Sequence, residues 1–471
     1  MGEGVWLRGV DEGALARVRE RLQDFAAQTF AGLPRVDQRE TGLRYLRGLM
    51  LDGRRKSMQP MAARLGVDHQ QLQQFLTSST WDVAGVRRRT ATTAVQVVTP
   101  SVWVVDDTGF AKDGSASACV ARQYSGTLGK VGNCQIAVSV HAASDTASAV
   151  LDWRLFVPES WDETCVPDET GKVANTHARR LRRQPVTLDE AGKKKPHVRK
   201  QVPRDEQIAQ ILRRRASSKI PDGERYRPKW LMALEMLDEL AGWGLRPPLL
   251  SADAGYGQVA EFRQGLTDRN IAYIVATTSS TTAHPGHAEP VPATYAGVGK
   301  YPAPRYPHPA RSIKDLALDH GAEQATPVHW RKRLPGAGAD GNRSAGTLSG
   351  HFFALRVRPA GRTVRESLRP RGDGVLPDCW LLVQWPPEQD EPTDYWLSDL
   401  PADTKLTDLV QLAKSRWRIE HDYRELKTGL GLDHFEGRSW IGWHRHVTLA
   451  TAAQLFRTQL RLTDPKAAGQ P

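Results

Sequence analysis

Two short apolar stretches, VWVV at 102–105 and LLSA at 249–252, each run directly into aspartate: Asp106 and Asp107 after the first, Asp253 after the second. Runs of this length and character read as buried strands. Carboxylates at the carboxyl ends of such strands can line a shared crevice. Aspartate is also a common turn former, so either site alone reads more simply as the start of a loop. A third acidic partner from another element is needed before the pair becomes a site.

The surrounding text sets the class. Leu231, Leu234, Leu237 and Leu240 form a helical stripe, followed by the strand PPLLSAD, a helix around VAEFRQGL and the strand IAYIVATT, a β-α-β register with parallel strands. After Pro100, SVWVVDDTGF, a strand near Ala118 to Gln123, the Gly-rich turn YSGTLGKVGN and CQIAVSVHAA read as three consecutive antiparallel strands. Residues 280–400 hold Pro- and Gly-rich links and short strands such as HFFALRV and CWLLVQW, a β-rich block with its own composition. At 471 residues, the chain is long enough for two or three such units.

From Asp37 to about Arg89 the pattern is helical. Within it, Ser57 to Ser78 reads as a helix-turn-helix: Ala62, Leu65, Leu72, Phe75 and Leu76 share a core, Gly66 allows the turn and Asp68 caps the second helix. Arg54, Arg55 and Lys56 on one flank and Arg87, Arg88 and Arg89 on the other are natural partners for phosphates. Lys plus Arg outnumber Asp plus Glu by 65 to 53, a net charge of +12, which favours a polyanion such as nucleic acid. Residues 170 to about 220, with RRLRRQ, GKKKPHVRK and LRRRASSK, read as an exposed, partly disordered basic insert.

No charged start leads into an apolar stretch with a small-residue cleavage site, and no run of about 18 apolar residues occurs. A cytoplasmic protein without membrane contact is expected. Cys119, Cys134, Cys165 and Cys379 are widely spaced, which supports neither a disulfide framework nor a zinc ribbon and predicts small core residues. His444 and His446 flank Arg445. With no further cluster nearby they read as helix-packing or DNA-proximal residues before metal ligands.

The third acid comes from a helix predicted from about Lys405 to Lys427, stopped by Gly429 and Gly431. At 100° per residue, Arg416 lies about 40° to one side of Glu420, Lys427 about 20° to that side and Arg424 about 40° to the other. Glu425 falls about 140° away and reads as a solvated residue. Magnesium takes oxygen ligands and keeps several waters, so two aspartates and a glutamate suffice when substrate phosphates complete the shell. Two such ions support phosphodiester displacement by water or by a 3′-hydroxyl.

In the order VVDDTGFAKDG, ARQYSGTLGKVGNCQ, DWRLFVP, ADAGYG, YWLSDLP and RWRIEHDYRELKTGLGLDHFEGRSWIGWHRHV, over roughly residues 40–455, the chain resembles the DDE transposases of bacterial insertion sequences. Their glutamate helix carries Tyr, two residues, Arg, three residues, Glu, six residues, Lys; Arg416, Glu420 and Lys427 keep that spacing, and Ala413 stands where the tyrosine would be. The resemblance implies an α/β fold: an RNase H-like core, a mixed sheet flanked by helices, carrying a β-rich insertion and an N-terminal helical DNA-binding domain. It implies Asp107, followed by Thr108, as the first catalytic and metal-binding acid with Asp106 in reserve, then Asp253 and Glu420. Two Mg2+ ions, replaceable by Mn2+, would be the cofactors.

By the same likeness Arg416, Arg424 and Lys427 would touch phosphates, joined by Arg122 and Lys130 beside the Gly-rich turn. Trp330 would stack on a base flipped from the duplex end, while Trp380, Trp385 and Trp396 read as core. The domains expected are 1–95 (end binding), 96–279 (first part of the core, with the basic insert at about 165–225), 280–400 (insertion) and 401–471 (glutamate helix and C-terminal helices). The function expected is a transposase that binds inverted-repeat ends, cleaves DNA and joins the 3′-hydroxyl to target DNA, acting as a homodimer. A non-catalytic DNA-binding descendant and an RNase H-like structure-specific nuclease are the alternatives.

Overall fold

The computed structural model describes residues 12–178, 202–292, 294–295, 304–331, 348–361, 364 and 374–463. Five helices come first: α1 (Glu12–Thr29), α2 (Val36–Met50), α3 (Met58–Leu65), α4 (His69–Thr77) and α5 (Val83–Val98). The turn between α3 and α4 has the predicted chemistry. Gly66 takes φ 66°, a left-handed conformation that glycine reaches without a Cβ penalty, and the Asp68 carboxylate accepts from Gln70 N at 2.9 Å to cap α4.

The sheet begins with β1 (Val102–Ala111), β2 (Ala121–Ser125), β3 (Lys130–Ala143) and β4 (Ser148–Leu155), and continues after α6 (Arg204–Ser217) and α7 (Lys229–Gly242). Then come β5 (Leu250–Ala252), α8 (Ala254–Gly257), α9 (Ala260–Asp268) and β6 (Tyr273–Thr277). As the β-α-β register required, β5 pairs in parallel with β6; β1 also pairs in parallel with β5. β3 pairs antiparallel with β1, and the same strand carries β2 along one part of its length and β4 along another. One expectation is corrected: β1 does not end at Asp106 and Asp107, because β3 satisfies its backbone from Val102↔Ala143 through to Ala111↔Cys134.

The β-rich block comprises β7 (Thr282–Pro285), β8 (Arg311–Ser312), α10 (Ile313–His320), β9 (Thr326–Arg331), β10 (Leu348–Pro359), β11 (Cys379–Gln384) and β12 (Asp394–Ser398). Its strands extend the core sheet, since β12 pairs with β6, and the order runs β2-β3-β1-β5-β6-β12-β11-β10-β7-β8, with β4 on β3 and β9 on β10. The result is a mixed α/β fold with a central mixed sheet flanked by helices.

The chain closes with α11 (Leu406–Ala413), α12 (Trp417–Arg424) and α13 (Trp440–Thr463). The single long helix expected at 405–427 is instead interrupted: a 3-10 turn at Lys414–Arg416 precedes α12 and a π turn at Glu425–Gly429 follows it. Part of the basic insert is helical. α6 buries Ile211 and Arg215, and Arg215 donates to the carbonyls of Trp161, Pro221 and Glu224; residues 179–201, which hold RRLRRQ and GKKKPHVRK, lie outside the described residues.

One apolar cluster takes in the N-terminal helices, α7, α9, α13 and a sheet face. Phe25 meets Phe456 at 5.4 Å between ring centroids, and the Tyr45 hydroxyl bonds His446 Nδ1 at 2.9 Å. A second cluster packs α11 and α12 against Val102, Val104, Leu249, Ile274 and Phe352. Cys119, Cys134 and Cys379 are buried, as expected of core residues, whereas Cys165 is half-buried.

Candidate active site

Strand alternation sends the two aspartates of β1 to opposite faces. Asp106 shares its face with Val104 and, across the ladder, with Ser139 and His141, under α12. There it receives Arg416 Nη1 at 2.8 Å. Asp107 turns toward α7, where Lys229 Nζ donates to it at 2.8 Å.

Asp253 comes level with this pair because Val105 is in register with Ala252. It caps α8, accepting from Tyr256 N at 3.3 Å. The ADAGYG text is explained by close packing: a Cβ on Gly257 would lie 1.9 Å from the Ala276 carbonyl oxygen of β6. Glycine there lets α8 lie against the strand and keeps Asp253 at the mouth of the crevice.

Glu420 lies in the first turn of α12, one turn beyond Arg416, which reaches Asp106, and one turn before Tyr423, whose hydroxyl bonds Ser139 Oγ at 2.7 Å. Glu420 therefore lies on the flank of α12 next to the residues that reach the sheet, and not on the side the helix buries. Its carboxylate is exposed and has no hydrogen bond or ion pair among the described residues.

The electrostatics are those of crowded carboxylates. Burial pushes Asp106 up to about 7; Arg416 opposes the shift, and Asp253 and Asp107 add to it. Asp253 is raised by burial, again with Arg416 opposing and Asp107 adding. Like charges in a partly dry site disfavour ionisation, and an all-oxygen donor set of this kind suits a hard divalent cation. The one group of His, Cys, Asp or Glu among the described residues whose ligand atoms all lie within 4.8 Å of one another is a different one, His421, Asp422 and Glu425. These acids are already satisfied: Asp422 by His141, Ser148 and Gln454, and Glu425 by Arg457 and Arg461.

Glu425 is thus buried and paired, a correction to its reading as solvated; the arithmetic that took it off the Glu420 face turned it onto α13. Lys427 is half-buried and staples the helix to β1, donating to Thr108 Oγ1 at 2.7 Å and the Gly109 carbonyl at 2.8 Å. Arg424, Arg122 and Lys130 are exposed. Trp330 packs edge-on against Phe352 with Lys414 Nζ 5.7 Å from its ring centre, so the half-buried side chain belongs to the second apolar cluster.

Several basic residues expected to meet phosphate are engaged elsewhere. Lys56 is buried with its ammonium on the Leu51 carbonyl, Arg87 pairs with buried Asp152 and with Glu239, and Arg89 donates to the Thr29 carbonyl at 2.8 Å. Arg54, Arg55 and Arg88 are exposed, Arg55 pairing with Glu436 at 3.0 Å. Both histidines of WHRHV are packing residues: His444 bonds the Trp440 carbonyl and His446 bonds Tyr45.

Two features escaped sequence reasoning. Lys229 opens α7 far from Asp107 in the chain, and nothing local announces their contact. A buried polar chain runs from Tyr423 through Ser139 to His141 Nε2 at 3.0 Å, and from His141 Nδ1 to Asp422 at 3.0 Å. The helical arithmetic applied to Glu420 would have placed Tyr423 about 20° from Arg416, but only the fold supplies Ser139 and His141.

Acids from two adjacent parallel strands and from a helix lying across them, on a mixed sheet flanked by helices, are consistent with an RNase H-like nuclease fold. Residues 28–337 match the family described as DDE superfamily endonuclease, and the chain belongs to that family. Residues 231–456 match the transposase DDE domain. A probable transposase for insertion sequence element IS701 from Microchaete diplosiphon is 35% identical over 114 residues, which covers 24% of this chain and 30% of that relative's length.

Proposed function

We propose that the chain is a transposase that binds the inverted-repeat ends of an insertion sequence, cleaves the DNA and joins the freed 3′-hydroxyl to target DNA. The observation that supports this reading is the grouping of Asp106, Asp107 and Asp253 at β1 and the β5–α8 junction, where burial first and the neighbouring carboxylates second raise Asp106 and Asp253, beside the helix that carries Glu420 and is tied to Asp106 by Arg416. Asp107, Asp253 and Glu420 would hold two Mg2+ ions, with Mn2+ able to replace them. When bound, these ions activate the attacking oxygen and stabilise the leaving oxygen of the phosphodiester.

The protein's own part is positional. Arg416 and Lys229 hold the two β1 carboxylates apart and in place. Lys427 fixes α12 against β1, and the exposed Arg424, Arg122 and Lys130 line up the phosphate backbone without reading sequence. Two ends joined in one complex call for a dimer of the chain.

A second assignment concerns one acid. Asp106, not Asp107, shares the α12 face with Arg416, which favours it as the partner of Glu420; the following Thr108 favours Asp107. With magnesium and a labelled element end, the wild type should release a 3′-hydroxyl, and Asp253→Asn or Glu420→Gln should abolish release while binding persists. Asp107→Asn should do the same, and Asp106→Asn should retain part of the rate. Full activity in Glu420→Gln would sink the reading, and the reverse order for the β1 pair would reassign the first acid.

A further inference from the structure

We infer that α4 reads adenines in the major groove of duplex DNA through Gln70, Gln73 and Gln74, with Gln71 at the edge of the same face. The inference rests on the DNA-end-binding reading above and gives it a sequence-specific element.

The argument starts from the two sides of α4. Leu72, Phe75 and Leu76 are buried and hold the helix on α2 and α13. At 100° per residue, Gln70, Gln73, Gln74 and Thr77 occupy an arc of about 100° on the opposite side. The four glutamines are exposed, and their amide groups make no hydrogen bond among the described residues.

That composition is unusual for a face that only meets water. Solvated helix faces are commonly filled with Lys and Glu, whose pairs at i and i+4 add stability, yet no charge interrupts this arc. A glutamine amide offers a donor and an acceptor side by side, and adenine presents N7 as acceptor and N6–H2 as donor in the major groove. Being uncharged, it lacks the long-range, sequence-independent attraction to phosphates that Lys and Arg have.

The mounting fits the same use. The tight turn at Gly66 sets α3 against α4, the helix order of units whose second helix enters the groove. Arg64 in the last turn of α3 is exposed and anchored by donating to the Arg55 carbonyl at 2.7 Å. Arg54 and Arg64, at the start and end of the stretch that carries α3, are exposed and have no carboxylate partner among the described residues, which leaves both available to phosphate.

The test is selection of duplexes from a random pool by the full chain without divalent metal, followed by replacement of each selected adenine with 7-deazaadenine, which lacks the N7 acceptor. The expected result is an adenine-containing consensus, with roughly tenfold weaker binding at each contacted adenine. Gln70→Ala, Gln73→Ala or Gln74→Ala should melt like wild type and become indifferent to the replacement at one adenine. Glutamine variants that select the same consensus with unchanged affinity would overturn the inference and leave end binding intact. Loss of self-association in sedimentation with DNA binding unchanged would assign the face to a second copy and overturn it as well. If no sequence is selected, α4 reads nothing; magnesium-dependent cleavage of duplex ends by the same preparation then tells whether the transposase reading survives.

Discussion

Asp106 and Asp107 are neighbours in the chain with opposite surroundings, one meeting Arg416 under α12 and the other meeting Lys229 under α7. A single peptide step along a strand is enough to do this, because side chains alternate. Single buried groups also set the acid limit of the fold. Burial pushes His446 down to about 4 and His444 down to about 3, so both are neutral in the folded chain at neutral pH. The unfolded chain binds these protons near pH 6.5; the stability is therefore complete above that value and is lost as pH falls from there toward 4. Each histidine should contribute a slope of about 1.4 kcal/mol per pH unit in that window. Urea unfolding at a series of pH values should show His446→Gln with a shallower slope than wild type; identical slopes would contradict the assignment.

At the scale of elements, α12 is fixed in rotation by contacts on both sides of Glu420. Arg416 and Lys427 tie it to β1 from outside, and the buried chain Tyr423–Ser139–His141–Asp422 ties it to β3 from within. Asp422 also accepts from Ser148 at 2.7 Å and from Gln454 at 3.3 Å. Removing such a carboxylate leaves several buried donors without a partner. Asp422→Ala should cost about 3–5 kcal/mol by denaturant titration and should lower DNA cleavage more than DNA binding, since the helix that aims Glu420 is loosened. A loss below about 1 kcal/mol would show that the network adds little. The 3-10 and π turns that bracket α12 were not legible, because both segments keep ordinary helical side-chain patterns, and it is the contacts of Lys414, Arg416 and Lys427 that accompany the change of winding.

On the scale of the molecule, the N-terminal helices are built into the catalytic half by Phe25 on Phe456, Tyr45 on His446, and Arg445 donating to the Leu76 carbonyl at 3.1 Å. A shared apolar interior couples their stabilities. Calorimetry should therefore give one transition for α1–α5 and the β1–β6 sheet together; a separate early transition, removed by deleting residues 12–99, would show that the helices fold as a unit of their own. Among the described residues no helix is long and apolar enough to cross a membrane.

The sequence alone determined the local elements that follow from periodicity and turn chemistry: the strand ending at Ala252, the helical stripe of α7, the Gly66 turn and the Asp68 cap. It also marked Asp253 and Glu420, because a carboxylate after an apolar run or on a helix face among cations is visible in spacing. What only the tertiary structure decided depends on contacts between segments far apart in the chain. The β-rich block continues the core sheet because β12 pairs with β6. Glu425 and Lys56 are buried and Arg87 is half-buried because distant partners, Arg461, His434 and Asp152, meet them. Asp106 and Asp107 part company because β3 carries β1 onward past both. Pairing across a sheet and burial of charge are set by the energy of the whole packed chain, and no local window of sequence contains that sum.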